Sequence, residues 1–190
     1  MKWLLLIVCG LLIGAVVLWF FGPRLVKTAW LIARVAPYEQ TVPDASTILV
    51  LGDSTGYGTG ATAGEYSVAG RLGRDYPDYS IQNDSANGRT IGELEPIARE
   101  VAGQYELILL QIGGNDVLDG RDPAVVESEL REIVQALTDN TKHLIMMSSG
   151  NVGAAPAFAG TAAAAMEART REFRDMFVQV ASTTELTYVD

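Results

Sequence analysis

Residues 47–60, TILVLGDSTGYGTG, join a short apolar run to a loop that is rich in glycine. A continuous apolar run that ends in such a loop is typical of a strand buried on both faces of a sheet. Similar runs follow at 79–83, 105–112, 142–149 and 186–190. Helical patterns separate these runs, so the sequence predicts a doubly wound parallel α/β sheet with right-handed crossovers and helices on both faces.

Apolar residues at helical spacing predict two of these helices. Asp122 is suited to cap the first, and Pro123 to occupy its first position. Its apolar face holds Val125, Val126, Leu130, Ile133, Val134 and Leu137. The apolar face of the second helix holds Met166, Phe173, Met176, Phe177 and Val180. A third helix has two possible starts, because TIGE from Thr90 matches a capping box whereas Pro96 would break a helix that begins there.

Three loops with glycine and polar residues follow the first three predicted strands. They are GDSTGYGTG at 52–60, NDSANGRT at 83–90 and GGND at 113–116. The carboxyl ends of parallel strands share one edge of the sheet, and ligands bind outside that edge. We therefore expect the three loops to meet there. A serine in the first loop could act as a nucleophile, and a glycine N–H and an asparagine amide in the others could donate to a developing oxyanion.

These loops resemble three sequence blocks of the SGNH, or GDSL-type, serine hydrolase family. GDS at 52–54 matches the first block, Asn83 and Gly88 match the second, and GGND at 113–116 matches the third. A lone GDS is a weak signal, since Asp and Ser after Gly are common in turns. Three blocks in order, each at a strand end, are far more specific. The resemblance extends over about residues 47–190.

The family resemblance implies a flavodoxin-like three-layer fold and hydrolysis of ester or thioester bonds, without metal or cofactor. It implies an acyl-enzyme on Ser54 and an oxyanion hole formed by the backbone of Ser54 and Gly88 and the side chain of Asn115. The expected substrate is a small-molecule ester, or an ester of a lipid or a glycan.

The family's fifth block, DxxH, supplies the general base and the acid that orients it, and it has no counterpart in this sequence. The only histidine, His143, begins the fourth predicted strand. Seven strand residues at about 3.3 Å each would place it roughly 20 Å from the edge where Ser54 is expected. We therefore expect that His143 is not the base, that the hydrolase-like domain is incomplete at its carboxyl end, and that this chain hydrolyses esters very slowly.

Two other functions stay open. One is a non-catalytic, membrane-anchored binding module that keeps the pocket but lacks the base. The other is a nucleotide-binding domain, since GTGATAG at 58–64 contains a GxGxxA string and Asp84 could bind a ribose. The string begins six residues after Gly52, however, which leaves a tight strand-to-helix turn unexplained. A P-loop is excluded because no lysine occurs between Lys27 and Lys142.

Residues 3–22 are uncharged and mostly apolar, with aromatic residues at both ends. Twenty helical residues span about 30 Å, the thickness of a hydrocarbon core, and no small-x-small cleavage site follows. Residues 24–36 are amphipathic and basic, and they could lie on anionic headgroups or pack on the rest of the chain, residues 37–190, which is called the body below. The chain thus divides into a single-pass anchor with this juxtamembrane segment at 1–36, a linker at 37–46 and an SGNH-hydrolase-like domain at 47–190. Basic residues flank the span on both sides and leave its orientation open.

Charge is divided unevenly along the chain. Residues 1–36 contain four basic and no acidic residues, whereas 37–190 contain ten basic and 23 acidic residues, a net charge of −13. A body this acidic repels phosphate backbones, so we expect no nucleic-acid partner. One cysteine and one histidine in the whole sequence exclude an internal disulfide and a metal site built on His or Cys clusters.

Overall fold

The computed structural model describes residues 35–155, 158 and 160–190. The predicted span at 3–22 lies outside these ranges, as does the juxtamembrane segment apart from its last two residues. Within them, no helix combines the length and the apolar character needed to cross a membrane. The anchor therefore stays a prediction.

Five strands form one parallel sheet in the order β2-β1-β3-β4-β5. They are β1 Thr47–Gly52, β2 Ser80–Ser85, β3 Leu107–Gln111, β4 Leu144–Met147 and β5 Leu186–Val189. Each predicted apolar run overlaps one strand, which confirms the parallel sheet. β2 continues to Ser85, so Asn83 and Asp84 lie within the strand and not in the loop that was expected to begin at Asn83.

Short and long helices follow the strands in the described ranges. They are α1 Ser54–Tyr57, α2 Val68–Asp75, α3 Ile91–Glu100, α4 Gly114–Leu118, α5 Pro123–Thr138 and α6 Gly160–Ser182. Two 3₁₀ turns, Gly64–Tyr66 and Val152–Ala154, lie in the connections. Helices α3, α5 and α6 pack on one face of the sheet and α2 on the other. Helices on both faces of the sheet agree with the predicted layers.

Alternate residues of β1 are buried on opposite faces of the sheet. Leu49 and Leu51 belong to the larger core beneath α3, α5 and α6, and Ile48 and Val50 to the smaller core beneath α2. This burial on both faces explains the unbroken apolar run, and each fully buried Leu or Ile contributes about 1.5–3 kcal/mol. Val125 does not belong to the apolar face predicted for α5, because it is 49% exposed.

Helix α3 begins at the Thr90 capping box and continues through Pro96. The Thr90 hydroxyl accepts a hydrogen bond from the Glu93 N–H, and the Glu93 carboxylate accepts one from the Thr90 N–H. Pro96 leaves one carbonyl of the preceding turn without its helical partner. Full burial of Ile91 and Leu94 against α5 outweighs that loss, so the start at Thr90 is the one the protein uses.

Candidate active site

The ends of β1, β2 and β3 lie side by side at one edge of the sheet, called the carboxyl edge below. Gly52, the last residue of β1, is in register with Ser85 of β2 and with Gln111 of β3. Neighbouring strands lie about 4.8 Å apart, and β1 lies between β2 and β3. The first loop therefore starts about one strand spacing from each of the other two, which start about 10 Å from each other. Gly52 allows this close approach, because a Cβ at this position would lie 2.1 Å from the Gln111 carbonyl oxygen.

Ser54 is the first residue of α1 and follows β1 after a single residue. Asp53 caps this four-residue helix, and its Oδ1 accepts hydrogen bonds from the Thr55 N–H at 2.8 Å and the Thr55 hydroxyl at 2.6 Å. Gly58 ends the helix in the left-handed conformation, with φ of 92°. Ser54 is half-buried, and its hydroxyl makes no hydrogen bond to any described residue. The turn therefore presents an uncommitted hydroxyl at the carboxyl edge.

Gly88 lies in the loop between β2 and α3, with φ of 83°. No heavy atom lies within 4 Å of the position that a Cβ would take, so the backbone conformation, and not a lack of space, requires glycine here. Its N–H donates to no backbone carbonyl of the described residues, whereas the next N–H, of Arg89, donates to Ala86. Gly88 thus offers a free donor.

Asn115 is the second residue of α4, which follows β3. Its Nδ2 donates a hydrogen bond of 3.0 Å to the carbonyl oxygen of Arg89, the residue after Gly88. This contact joins the second and third loops. An amide NH₂ has two hydrogens, so one remains for a ligand. Strand register places Ser54 beside these loops, and the convergence of all three groups on one oxyanion stays a prediction.

Asn83 contributes to the site indirectly. Its buried side chain donates a hydrogen bond of 3.0 Å to the carbonyl oxygen of Gly56 in α1. A Cβ on Gly56 would lie 2.5 Å from the Ser85 hydroxyl, so α1 rests closely on β2. Asn83 therefore fixes the helix that carries Ser54 and is a positioning residue.

Ser149, which follows β4, connects the first and third loops, and sequence reasoning missed it. Its hydroxyl donates to Asp53 Oδ2 at 3.0 Å and accepts from the Gly114 N–H at 3.0 Å. Asp53 is 1% exposed, so its carboxylate depends on these partners. The only signal in the sequence is a serine just after an apolar run, and serine is common in such loops.

Asp116 is fully buried and holds the start of α3. Its carboxylate accepts from the Ile91 N–H at 3.1 Å and from Arg121 Nη1 at 2.9 Å, and Arg121 also pairs with Glu129 at 2.7 Å. Burial raises the pKa of Asp116 above its ordinary value, against the hydrogen bonds from Arg121 and Ile91. Because Asp116 adjoins Asn115 and Ile91 follows the Gly88 loop, this contact fixes the two loops relative to each other.

A cavity of about 170 Å³ lies at the carboxyl edge, beside the GGND loop. Phe173 and Phe177 of α6 line it together with Gly114 and Ser149, and Arg174 lies among its charged residues. A Cβ on Gly113 would lie 2.8 Å from the Phe177 ring, so glycine is needed for this packing. The cavity could hold a small, mostly apolar group next to the predicted oxyanion hole.

His143 lies at the opposite, amino edge of the sheet. It directly precedes β4 and is exposed, whereas Ser149 marks the other end of the same strand. This agrees with the prediction that His143 is remote from Ser54. Residues 58–64 follow α1 and not a strand, so the GxGxxA string does not form the strand-to-helix turn of a dinucleotide site. In the described ranges, no group of three or more His, Cys, Asp or Glu could hold a metal ion.

Residues 50–190 match the family model of the GDSL-like lipase/acylhydrolase family. The chain belongs to this family. The matched range covers most of the body, including the three loops, and confirms the resemblance of the motifs. No curated protein matches the sequence.

Solved structures with the same fold include esterases of the SGNH-hydrolase family. AlinE4, an SGNH-hydrolase family esterase, is 22% identical with a TM-score of 0.58, over 78% of this chain and 77% of that one. A member of the lipolytic G-D-S-L family from Veillonella parvula is 17% identical with a TM-score of 0.61, over 77% and 78%. A catalytic mutant of Axe2, an acetylxylan esterase from Geobacillus stearothermophilus, is 21% identical with a TM-score of 0.56, over 80% and 78%. At these identities the likeness shows the fold, and the family supports ester hydrolysis at its own level.

Proposed function

We propose that this GDSL-family chain is a membrane-anchored serine hydrolase that cleaves acyl esters, or thioesters, through an acyl-enzyme on Ser54. The observation that carries the proposal is the hydrogen bond from Asn115 Nδ2 to Arg89. This bond joins Asn115 to the residue after Gly88, and it supports the inference that the amide and the Gly88 N–H donate to the same oxyanion beside Ser54. A hydroxyl flanked by two neutral donors is the arrangement that acyl transfer requires.

In the proposed reaction, Ser54 Oγ attacks the ester carbonyl carbon and loses its proton to a base. The carbonyl oxygen becomes an oxyanion that accepts hydrogen bonds from the N–H groups of Ser54 and Gly88 and from the second hydrogen of Asn115 Nδ2. Collapse of the tetrahedral intermediate expels the alcohol or thiol, and water then hydrolyses the acyl-enzyme. Loss of one such donor typically lowers kcat by about 10²–10³-fold.

The proton acceptor is the weak part of this site. The sequence has no histidine other than His143, which lies at the amino edge. A serine without a base within about 3 Å is a poor nucleophile, so we expect the 190-residue chain to hydrolyse esters slowly. Appending a family-like DxxH segment after Asp190 should raise the rate by several orders of magnitude, and His143→Ala should leave the rate of either version unchanged.

We place part of the ester in the cavity beside the GGND loop. Phe173 and Phe177 give it an apolar wall, and its volume of about 170 Å³ suits a small group and not a folded polymer. Acyl esters of lipids or glycans fit this description, and the esterase activity of the structural neighbours agrees with it.

A fluorophosphonate probe, which forms a covalent bond to activated serines, tests the proposal. We expect slow labelling of the purified chain that is lost in Ser54→Ala and kept in Ser182→Ala, a variant of an exposed serine at the end of α6. Labelling that survives Ser54→Ala, or that never occurs even in the version with DxxH, would refute the assignment of Ser54.

A non-catalytic binding module is the second candidate, and the position of His143 favours it. In that case the cavity binds an ester or acid without turnover. Calorimetry with a short-chain ester, combined with the labelling experiment, separates the two functions. Binding without any Ser54-dependent labelling indicates the module, and labelling indicates the hydrolase.

A further inference from the structure

The first described residues run along the outer edge of β2, in the direction opposite to that strand. The Gln40 N–H donates to the Ile81 carbonyl at 3.0 Å, and the Ile81 N–H donates to the Gln40 carbonyl at 2.8 Å, which makes an antiparallel bridge. Tracing the chain backward from Gln40 therefore leads toward the carboxyl edge. Five extended residues at about 3.3 Å each cover about 16 Å, whereas Ile81 to Ser85 covers about 13 Å.

The contacts of Val35 and Ala36 confirm this path. Val35 is only 4% exposed, and its Cγ1 lies 3.7 Å from the Cβ position of Gly58, which ends α1. The Ala36 carbonyl oxygen lies 3.4 Å from the Cβ position of Gly64. Both contacts are with the segment that follows Ser54. The chain therefore enters the body beside the candidate site.

Only twelve residues, 23–34, separate Val35 from the predicted membrane span at 3–22. They reach at most about 43 Å when fully extended and about 18 Å as a helix. The strands of the body cover about 20 Å. If residues 23–34 are helical, a connection of about 18 Å is shorter than the body is deep, and the carboxyl edge to which it is attached is held nearer the membrane.

Two of the segments at the carboxyl edge contain long uncharged stretches. Residues 54–64, after β1, and residues 148–155, after β4, contain no charged residue. Uncharged loops lose little hydration near a headgroup layer. Net charge does not distinguish the two edges, because exposed Glu65, Asp119 and Asp122 also lie in carboxyl-edge segments.

Exposed apolar side chains lie at both edges of the body. Tyr66, in the 3₁₀ turn after α1, is 58% exposed and Leu118, at the end of α4, is 47% exposed, and both lie at the carboxyl edge. Tyr76, which follows α2 at the amino edge, is 51% exposed. Tyrosine is enriched at membrane interfaces because its ring is apolar and its hydroxyl is polar. The carboxyl edge therefore presents Leu118 in addition to a tyrosine.

From these observations we propose that the body is held with its carboxyl edge against the membrane, and that the site takes an acyl ester of an amphiphile lying in that membrane. The substrate part of the inference rests on the proposed hydrolase function, whereas the orientation does not. Such a substrate needs only to slide its ester group out of the headgroup layer, and its acyl or alcohol chain can stay in the bilayer.

Orientation can be measured without any turnover. The full chain, with Cys9→Ser, receives one cysteine at an exposed position of the carboxyl edge, Thr62 or Leu118, or of the amino edge, Asp78 or Glu185. Each variant carries a bimane probe and is reconstituted in phosphatidylcholine vesicles that contain a nitroxide-headgroup lipid. We expect quenching at 62 and 118 to be several-fold stronger than at 78 and 185. Equal quenching, stronger quenching at the amino edge, or failure of the chain to enter vesicles overturns the proposal.

The substrate class is tested in the same vesicles with short-chain and long-chain alkyl fluorophosphonates. We expect the long-chain probe, which partitions into the bilayer, to label Ser54 at least tenfold faster. Similar rates, with quenching as expected, overturn the amphiphilic substrate and leave the hydrolase standing. An absence of Ser54-dependent labelling by both probes overturns the hydrolase and the substrate class together, whereas the quenching still reports the orientation.

Discussion

Replacing Ser149 by alanine removes the hydroxyl that connects the Ser54 turn to the GGND loop. Asp53 Oδ2 loses a donor at 3.0 Å, and the Gly114 N–H loses its acceptor at 3.0 Å. A hydrogen bond to a charged group contributes about 1.5–3 kcal/mol and a neutral one about 0.5–1.5 kcal/mol. Asp53 keeps both bonds from Thr55. We therefore expect Ser149→Ala to lower the free energy of unfolding by about 2–4.5 kcal/mol.

Ser148→Ala is the matched control, because Ser148 is the neighbouring, equally half-buried serine. Its hydroxyl accepts a hydrogen bond from the Tyr188 hydroxyl at 3.1 Å, so its loss should cost only about 0.5–1.5 kcal/mol. Circular dichroism suits the measurement, since all three tryptophans of the chain precede residue 35 and do not report on the body. Ser149→Ala should also slow fluorophosphonate labelling of Ser54, whereas Ser148→Ala should not. Equal stability and equal labelling of the two variants would refute the reasoning.

Three further predictions follow from single positions. Gly88→Ala should lower the free energy of unfolding by about 1 kcal/mol and slow the labelling of Ser54. Gly103 is the control, because it has φ of 107° in an equally open loop at the amino edge. Gly103→Ala should lower the free energy of unfolding by the same amount and leave the labelling unchanged. Pro96→Ala should raise the free energy of unfolding by about 1–3 kcal/mol, because it restores a helical hydrogen bond. Pro123→Ala, at a first helical position, should change the free energy of unfolding little. Urea unfolding of the two variants measures both changes. Asp116 has a folded-state pKa raised above 3.8, so the folded state holds its proton more tightly. The unfolding free energy of the natural chain relative to Asp116→Asn should therefore fall as pH rises from about 4, and a parallel pH dependence of the two would contradict this.

The strands could be predicted from sequence because β1 and β3 are buried on both faces and need continuous apolar runs. The order of the strands and the start of α3 could not. At Thr90 a favourable cap competed with an unfavourable proline, and only the burial of Ile91 and Leu94 against a distant helix decided between them. Val125 shows the same limit, since its spacing suits the buried face of α5 although nothing covers it.

The positions of the candidate site residues at strand ends were predictable where chemistry or backbone conformation requires a residue type, and their catalytic roles stay predictions. Ser54, Gly88 and Asn115 each follow a strand, and Gly88 adopts the positive φ that favours glycine. Ser149 and Asn83 were not recognised as positioning residues, because their partners are far away in the sequence. Ser149 contacts Asp53 across 96 positions and Asn83 contacts Gly56 across 27, and neither separation leaves a local pattern.

The antiparallel bridge at Gln40 also has a mechanical consequence. If residues 3–22 hold the chain in a membrane, any force between membrane and body enters at residue 35. It then acts on the packing of Val35 and on the hydrogen bonds of Gln40, Val42 and Ser46 with residues 77–81 before it reaches β1, which is bonded on both sides. Residues 35–46 would peel away first and release about 40 Å of extra tether, with the five-stranded sheet left intact. The contacts that orient the body are thus also the first to yield under load.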